Sequence, residues 1–181
     1  TTFENLATSY AGYVSSYLQN LERFHLAGLV NFFNASEYVD LEEFNLYTDS
    51  LAIDSDTLAW EWIPAVRADE LQEFEELASA ELGMDYQVWE LSRDGRQVPV
   101  KDRTEYYPIF YLAPQENNEN ALGFDVGSEK TRLEMLQNAS DSGLVTASDP
   151  INLVNNLENQ TGFLITMPIG HNEDQLLQRG F

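Results

Sequence analysis

The sequence has no cysteine among its 181 residues. This absence excludes disulfide bonds, thiolate metal sites and cysteine catalysis together. Only two histidines occur, His25 and His171, and their spacing matches neither a metal site nor a nucleophile with its base. Motifs for phosphate binding, for a hydrolase nucleophile and for a zinc protease are also missing. We therefore expect no catalytic residue, no metal ion and no cofactor.

Basic residues are scarce as well. Nine Lys and Arg stand against 31 Asp and Glu, which gives a formal net charge of −22. Nucleic acids and anionic membrane surfaces would repel such a chain, so neither is an expected partner. No apolar run approaches the roughly 20 residues of a membrane-spanning helix. Because the chain begins at Thr1 rather than Met, we expect it to be a segment of a longer protein.

Apolar residues are plentiful, and they indicate a folded domain. They make up 43% of the chain, and aromatic residues alone make up 12%. A chain of this length and composition can bury a substantial core, which excludes wholesale disorder. The length fits one domain, or two small subdomains that share a core.

The first part of the chain has the pattern of a long amphipathic helix. Aromatic residues recur there every seven positions, at Phe3, Tyr10, Tyr17 and Phe24. This spacing predicts a helix over Thr1–Asn34 with one apolar seam, about 50 Å long at 1.5 Å per residue. The seam either packs within the chain or pairs with a second copy, and the sequence leaves both open.

The rest of the chain changes from helical to extended patterns. Helices are predicted over Leu41–Ser50, after an Asp40 cap, over Asp69–Leu82, and over Ser128–Ser142, with Ser128 as the cap. A hairpin signal lies at Ser92–Gly95. Strands are predicted at Tyr86–Leu91, Tyr106–Leu112, Leu122–Val126, Leu144–Ala147 and Phe163–Ile169. This order predicts the α+β class with a mostly antiparallel sheet.

One acidic residue stands among aromatic ones in the second half. Asp125 follows Phe124 within a predicted strand, although Asp is depleted in strands. If its side chain points inward, the buried carboxylate needs hydrogen-bond donors. Backbone amides or an Arg would make it a structural lock. An apolar pocket around it would instead leave it for the N–H group of a ligand.

A series of short motifs resembles the CHASE domain, in order and in spacing, from about Leu21 to Ile169. The motifs are Asn31–Ser36, Phe44, Trp62–Val66, Phe74, Gly83, Tyr106–Tyr111, Ala113–Pro114, Asn120–Asp125, Arg132, Ser142–Gly143, Ser148–Pro150, Leu153, Gly162 and Met167–Ile169. The sequence departs from the family at Ala65, where Arg or Lys is usual in that region, while Arg67 follows Val66.

The resemblance implies an extracellular or periplasmic ligand sensor between two membrane helices of a receptor. Receptors with this domain carry histidine kinase, diguanylate cyclase or nucleotide cyclase output, and plant members bind adenine-type cytokinins. The implied fold is a long N-terminal stalk helix followed by two PAS-like subdomains. Residues 1–34 would be the stalk, 35–105 a helical linker with the membrane-distal part, and 106–181 the remaining sheets and the C-terminal exit.

The resemblance also implies a binding site without catalytic residues. By position Asp125 matches the family's ligand-contacting Asp, and the Thr146–Ser148 turn lines the same pocket. Together with the nearby rings, the predicted ligand-binding residues are Tyr107, Phe110, Tyr111, Phe124, Asp125, Thr146, Ala147 and Ser148. The expected partners are a small organic molecule, cytokinin-like or other, and a second copy bound through the N-terminal helix in the full-length receptor. The alternative function is a dimerisation or protein-interaction scaffold without a small-molecule ligand.

Overall fold

A computed structural model describes residues 2–52, 57–116, 118–154 and 161–170. The helices are α1 (Thr2–Asn20), α2 (Ala27–Ala35), α3 (Leu41–Ala52), α4 (Leu71–Leu82) and α5 (Lys130–Ser142). A π-helical turn, Leu21–Leu26, lies between α1 and α2. Within these ranges, no helix combines the length and apolarity that a membrane span requires.

Ten short strands lie in the part of the chain that the structure describes. They are β1 (Trp60–Trp62), β2 (Val66–Arg67), β3 (Trp89–Leu91), β4 (Gln97–Pro99), β5 (Glu105–Tyr106), β6 (Tyr111–Ala113), β7 (Thr146–Ala147), β8 (Ile151–Asn152), β9 (Thr161–Gly162) and β10 (Ile165–Thr166). The pairs are β1–β6, β2–β5, β3–β4, β7–β10 and β8–β9, and each is antiparallel. The α+β class with antiparallel pairing is confirmed.

The N-terminal region differs from the single predicted helix. It consists of three consecutive helical pieces, because the π-helical turn separates α1 from α2. A π turn holds more residues than an α turn, so it breaks the seven-residue register of the aromatic seam. Phe24, a member of that seam, is 67% exposed, whereas Leu29 and Phe33 of α2 are buried. The helical region therefore joins the core at its C-terminal end.

Local signals fix several helix ends. Asp40 and Glu43 form a reciprocal cap at the start of α3, in which the Glu43 amide donates to the Asp40 Oδ1 at 2.8 Å. Gly83 and Gly143 end α4 and α5 in the left-handed conformation, as glycine allows without strain. The predicted cap of α5 was wrong by one residue. The Glu129 carboxylate, not Ser128, accepts the first free amides of that helix.

Several predicted strands are shorter than expected. Leu122–Val126 contains only bridges at Phe124 and Asp125, and the terminal strand is limited to Ile165–Thr166. The sequence also predicts a helix or an acidic loop over Asn152–Asn159, which lies partly outside the described residues, and Asn152 itself belongs to β8. His171 and most of the C-terminal exit also lie outside them. The division of the chain at residues 35 and 106 stays a prediction.

Two hydrophobic clusters lie on the two faces of the β1–β6 pair. The first contains the rings of Trp60, Trp62 and Tyr111, together with buried residues of α2, α3 and α4. The second contains Leu112 and Phe124, with partly buried residues of α5 packed against it. Neighbouring residues of a strand point to opposite faces, which is why Tyr111 and Leu112 belong to different clusters.

Candidate functional site

The short segment that carries Asp125 is held between two neighbours. On one side the Trp89 amide donates to the Gly123 carbonyl at 2.9 Å, and the Asp125 amide donates to the Trp89 carbonyl at 2.8 Å. On the other side the Ile109 amide donates to the Phe124 carbonyl at 3.1 Å. Backbone hydrogen bonds on both sides therefore fix the position of Asp125.

Gly123 makes this close arrangement possible. Its φ of +77° lies in the left-handed region, and a Cβ at this position would come within 2.3 Å of the Gln87 carbonyl oxygen. Only glycine fits both constraints without strain. The turn it forms directs Phe124 into the second cluster and Asp125 toward the loop before β5.

Asp125 is fully buried, and the protein supplies its hydrogen-bond donors. Its Oδ1 accepts from the amides of Tyr107 at 2.9 Å and Gly127 at 3.0 Å. Its Oδ2 accepts from Arg103 Nη1 at 2.7 Å. Burial raises the pKa of Asp125, and the Tyr107 amide and Arg103 oppose that rise. These contacts are those of the structural lock, and ligand contact by Asp125 stays a prediction.

Arg103 also binds a second buried carboxylate. Its Nη2 donates to Glu90, a residue of β3 that is 1% exposed. Lys101 completes the pairing, with its Nζ 2.6 Å from Glu90 Oε1. Burial alone would raise the pKa of Glu90, but hydrogen bonds from Lys101 and Arg103 hold it below its ordinary value. We call Glu90, Lys101, Arg103 and Asp125 the charge lock.

Two predicted site residues belong to the first cluster. The rings of Phe110 and Tyr111 stack at a centroid distance of 4.3 Å, and Tyr111 also contacts Trp62 at 5.1 Å. The Tyr111 hydroxyl lies 3.2 Å from the Val39 carbonyl oxygen and 3.1 Å from Glu81 Oε1. Burial raises the pKa of this hydroxyl well above its ordinary range. These two rings fill the core between the sheet and the helices.

Tyr107 and Phe124 lie with the second cluster instead. The Tyr107 ring covers Gly127, where an added Cβ would come within 2.6 Å of the ring. The Tyr107 hydroxyl donates to the Glu105 carboxylate. Burial and that carboxylate raise the pKa of the Tyr107 hydroxyl. The structure thus separates Tyr107 from Phe110 and Tyr111, which were predicted to line one hollow with it.

The predicted turn Thr146–Ser148 lies near the second cluster but bonds elsewhere. Thr146 and Ala147 form β7, whose partner is β10. The Ser148 amide donates to the Leu164 carbonyl at 2.9 Å, and the Leu164 amide donates to Ser148 Oγ at 3.0 Å. Leu164 packs against the second cluster. In the part of the chain that the structure describes, no hydrogen bond joins this turn to Asp125.

The sequence interpretation missed two charged residues of the second cluster, Glu61 and Arg132. Glu61 is the centre of β1 and lies opposite Leu112. Loss of hydration raises the pKa of Glu61 to about 7, and Arg132 acts against that rise. The Arg132 side chain is 6% exposed, and its guanidinium lies 5.1 Å from the centre of the Phe124 ring. Burial lowers the pKa of Arg132, while Glu129 and Glu61 raise it.

A local signal marks each of these residues. Glu61 stands between Trp60 and Trp62, so one strand face is aromatic and the other carries a charge. Arg132 shares a helix face with Met135 and Ala139, both buried. A charge at a core-facing position is unusual and needs a partner.

Two surface hollows lie away from every predicted site residue. One of about 700 Å³ is lined by Tyr38, Asp40, Leu41, Glu42, Asn45, Leu46, Asp49 and Glu81. The other, of about 370 Å³, is lined by Tyr17, Asn20, Leu21, Phe24 and His25. Among the residues with described positions, no group of three or more His, Asp or Glu side chains is arranged to hold a metal ion.

Comparison with known proteins agrees with the resemblance seen in the sequence. The family model described as CHASE domain matches residues 37–179, which is most of the chain. A search of curated proteins finds no match. The matched range includes the charge lock, the second cluster, Glu61 and Arg132, and it includes the first cluster apart from its members in the N-terminal helical region. The chain belongs to the CHASE family, whose members are extracellular sensor domains of membrane signalling receptors.

Proposed function

We propose that this chain is the extracytoplasmic small-molecule sensor domain of a transmembrane receptor, with a kinase or cyclase as output. The observation that carries the proposal is the CHASE match over residues 37–179. The absence of a catalytic motif from the sequence fits a binding module rather than an enzyme. In this proposal the N-terminal helices are the stalk and the antiparallel pairs belong to two PAS-like subdomains.

The proposed ligand site lies on the second-cluster face of the β1–β6 pair. Phe124, Tyr107 and Leu112 pack together there with Leu136 of α5. In this proposal the three residues would form the apolar walls of the site. An apolar site with a few placed polar groups is the usual form of a small-molecule pocket. Asp125 would contact the ligand from the edge of this face, and Thr146–Ser148 would contact it from the side of β7. Phe110 and Tyr111 would support the sheet from behind.

The proposed signal leaves through the N-terminal helices and the C-terminal end. The helical region is anchored in the core by Leu21 of the π-helical turn and by Leu29 and Phe33 of α2. A ligand that binds two packings of the second cluster with different affinity would shift this anchored end relative to the C-terminal segment. Exposed apolar side chains on α1, Leu6 at 66% and Tyr13 at 63%, support pairing with a second copy through this helix.

The scaffold function is the second candidate, and the charge lock favours it. Asp125 has no need of a ligand to satisfy its carboxylate, because Arg103 and two amides already do so. If the domain only holds two receptor chains together, α1 carries the function. Sedimentation at rising concentration should then show strong pairing, and no small molecule should stabilise the domain.

A thermal-shift screen with location of the hit tests the sensor proposal. Purines, amino acids and small amines are screened, and the strongest hit is examined by hydrogen exchange. We expect protection of residues 107–113 and 122–136, with α1 unchanged as the internal control. A screen without any hit, or protection confined to the hollow beside α3, contradicts the proposed site and its function.

A further inference from the structure

The hollow beside the π-helical turn lies outside the region that the family match covers. Its volume is about 370 Å³, and its walls are Tyr17, Asn20, Leu21, Phe24 and His25. Small-molecule pockets usually measure roughly 300–1,000 Å³. All five residues precede residue 37, and none of them belongs to the second cluster. The hollow is therefore separate from the ligand site proposed above. A π turn is rare and is often found at functional sites.

His25, in the wall of this hollow, lacks a hydrogen bond. Among the residues that the structure describes, its Nδ1 is the one buried side-chain nitrogen or oxygen without a hydrogen-bond partner. Its ring meets Trp60 edge to face, at a centroid distance of 5.9 Å. Burial of a polar atom without a partner is unfavourable. Because His25 is only half-buried and lines the hollow, a turn about its Cβ–Cγ bond can bring Nδ1 to a molecule bound there.

The walls of the hollow are suited to a neutral aromatic molecule. They contain no Asp, Glu, Lys or Arg, although 31 residues of the chain are acidic. The hollow beside α3, by contrast, is lined by four acids. A charged ligand would therefore find no opposite charge in the walls. The rings of Tyr17 and Phe24 offer the flat apolar surface on which another ring packs well.

We propose that this hollow binds a small neutral aromatic molecule with a hydroxyl group. The ring of the ligand packs on Phe24 and Tyr17, and its hydroxyl bonds to His25 Nδ1. A neutral imidazole has one donor and one acceptor nitrogen, and a hydroxyl can pair with either. Binding satisfies the unpaired nitrogen and covers Phe24, which is 67% exposed. This site goes beyond the proposed sensor function and does not depend on it.

The test compares 4-methylphenol with toluene, which has the same ring and methyl group but no hydroxyl. Amide chemical shifts in NMR titrations of the whole chain give both the affinity and the position of each probe. We expect both probes to shift the amides of residues 17–25. The hydroxyl should make 4-methylphenol bind roughly 2- to 10-fold more tightly than toluene.

Three variants locate the site and the hydrogen bond. His25→Phe keeps a ring but removes both nitrogens, so it should bind the two probes equally, and its binding of toluene shows that it is folded. Phe24→Ala removes one wall and should weaken both probes roughly 10-fold. Leu46→Ala is the matched control for Phe24→Ala, because Leu46 is a similarly exposed apolar side chain of the hollow beside α3. It should leave both affinities unchanged.

Three results would overturn this site. They are a preference of His25→Phe for 4-methylphenol as strong as that of the unmodified protein, an absence of shifts at residues 17–25 with either probe, and equal weakening in Phe24→Ala and Leu46→Ala. Shifts at residues 17–25 that follow dilution of the protein rather than addition of a probe would show that a second copy covers the hollow, which also overturns the site. None of these results bears on the sensor function, whose test is the screen described above.

Discussion

Asp125 and Glu61 are two acids of one small domain in opposite situations. Asp125 is fully buried, and two backbone amides and Arg103 satisfy its charge. Glu61 lies at the centre of β1, where loss of hydration raises its pKa and the charge of Arg132 opposes that rise. The difference shows that burial alone does not make an acid a functional residue. The acid with complete bonding stabilises the fold, whereas the charge of the other acid is held in an environment that disfavours it.

The largest effect is expected at Arg103, because it serves two buried carboxylates. Arg103→Ala leaves Glu90 and Asp125 without this cation, and loss of one partner of a buried pair costs roughly 3–5 kcal/mol. Urea unfolding measures the change in the free energy of unfolding. Arg96→Ala is the control, since its ion pair with Asp94 is exposed and should contribute at most about 1 kcal/mol. Similar losses in the two variants would contradict the charge lock.

A smaller loss is expected at Gly123, which positions Asp125. Gly123 and Gly95 share a φ of +77°, but an added Cβ meets the Gln87 carbonyl oxygen at 2.3 Å only at Gly123. A Cβ added at Gly95 has no other atom within 4 Å. Gly95→Ala should cost about 1 kcal/mol from strain alone, and Gly123→Ala should cost at least about 2 kcal/mol. Thermal unfolding of both variants isolates the steric contribution, and equal shifts in Tm would disprove it.

The smallest effect is expected from the ionisation of Glu61. Its pKa is raised from 4.5 to about 7 in the folded state by loss of hydration, with Arg132 in α5 as the opposing charge. Because the folded state binds this proton more tightly than the unfolded state, protonated Glu61 favours the folded state. Its contribution to the free energy of unfolding is fully present below pH 4.5 and is lost as pH rises through about 7. After allowance for partial exposure, we expect a loss of about 1–2 kcal/mol.

Glu61→Gln should remove the part of the pH dependence of stability that Glu61 causes, and the part caused by other groups should remain. The measurement is the free energy of unfolding of both proteins between pH 4 and 8, with Glu134→Gln as control. A difference between the unmodified protein and Glu61→Gln that stays constant over this range would show that Glu61 is hydrated like a surface acid.

The sequence predicted what depends on neighbours along the chain. The Asp40 cap of α3 and the ends of α4 at Leu82 and of α5 at Ser142 followed from local rules. Asp125 was recognised as unusual because an acid in a strand between apolar residues is rare. Its partner could not be recognised, since Arg103 stands 22 residues earlier and no periodicity connects the two.

Other predictions from the sequence were wrong where the chain is irregular. A regular strand would send Phe110 and Tyr111 to opposite faces, yet both lie in the first cluster. Segment 107–110 has only an isolated bridge at Pro108, so alternation does not hold there. The π-helical turn likewise accompanies the exposure of Phe24, which was predicted to belong to the apolar seam. Glu61 and Arg132 were missed because each becomes unusual only when the surface it faces is known.

The central claim is that the protein itself satisfies the Asp125 carboxylate, whereas loss of hydration makes the charge of Glu61 unfavourable, and paired amide substitutions test it most directly. Asp125→Asn and Glu61→Gln each remove one charge and leave the shape of the side chain almost unchanged. The measurement is urea unfolding of both variants at pH 8. We predict a loss of about 2–3 kcal/mol for Asp125→Asn, which disrupts a charged hydrogen-bond set, and no loss or a gain in stability for Glu61→Gln. Equal losses, or a larger loss for Glu61→Gln, would contradict the account.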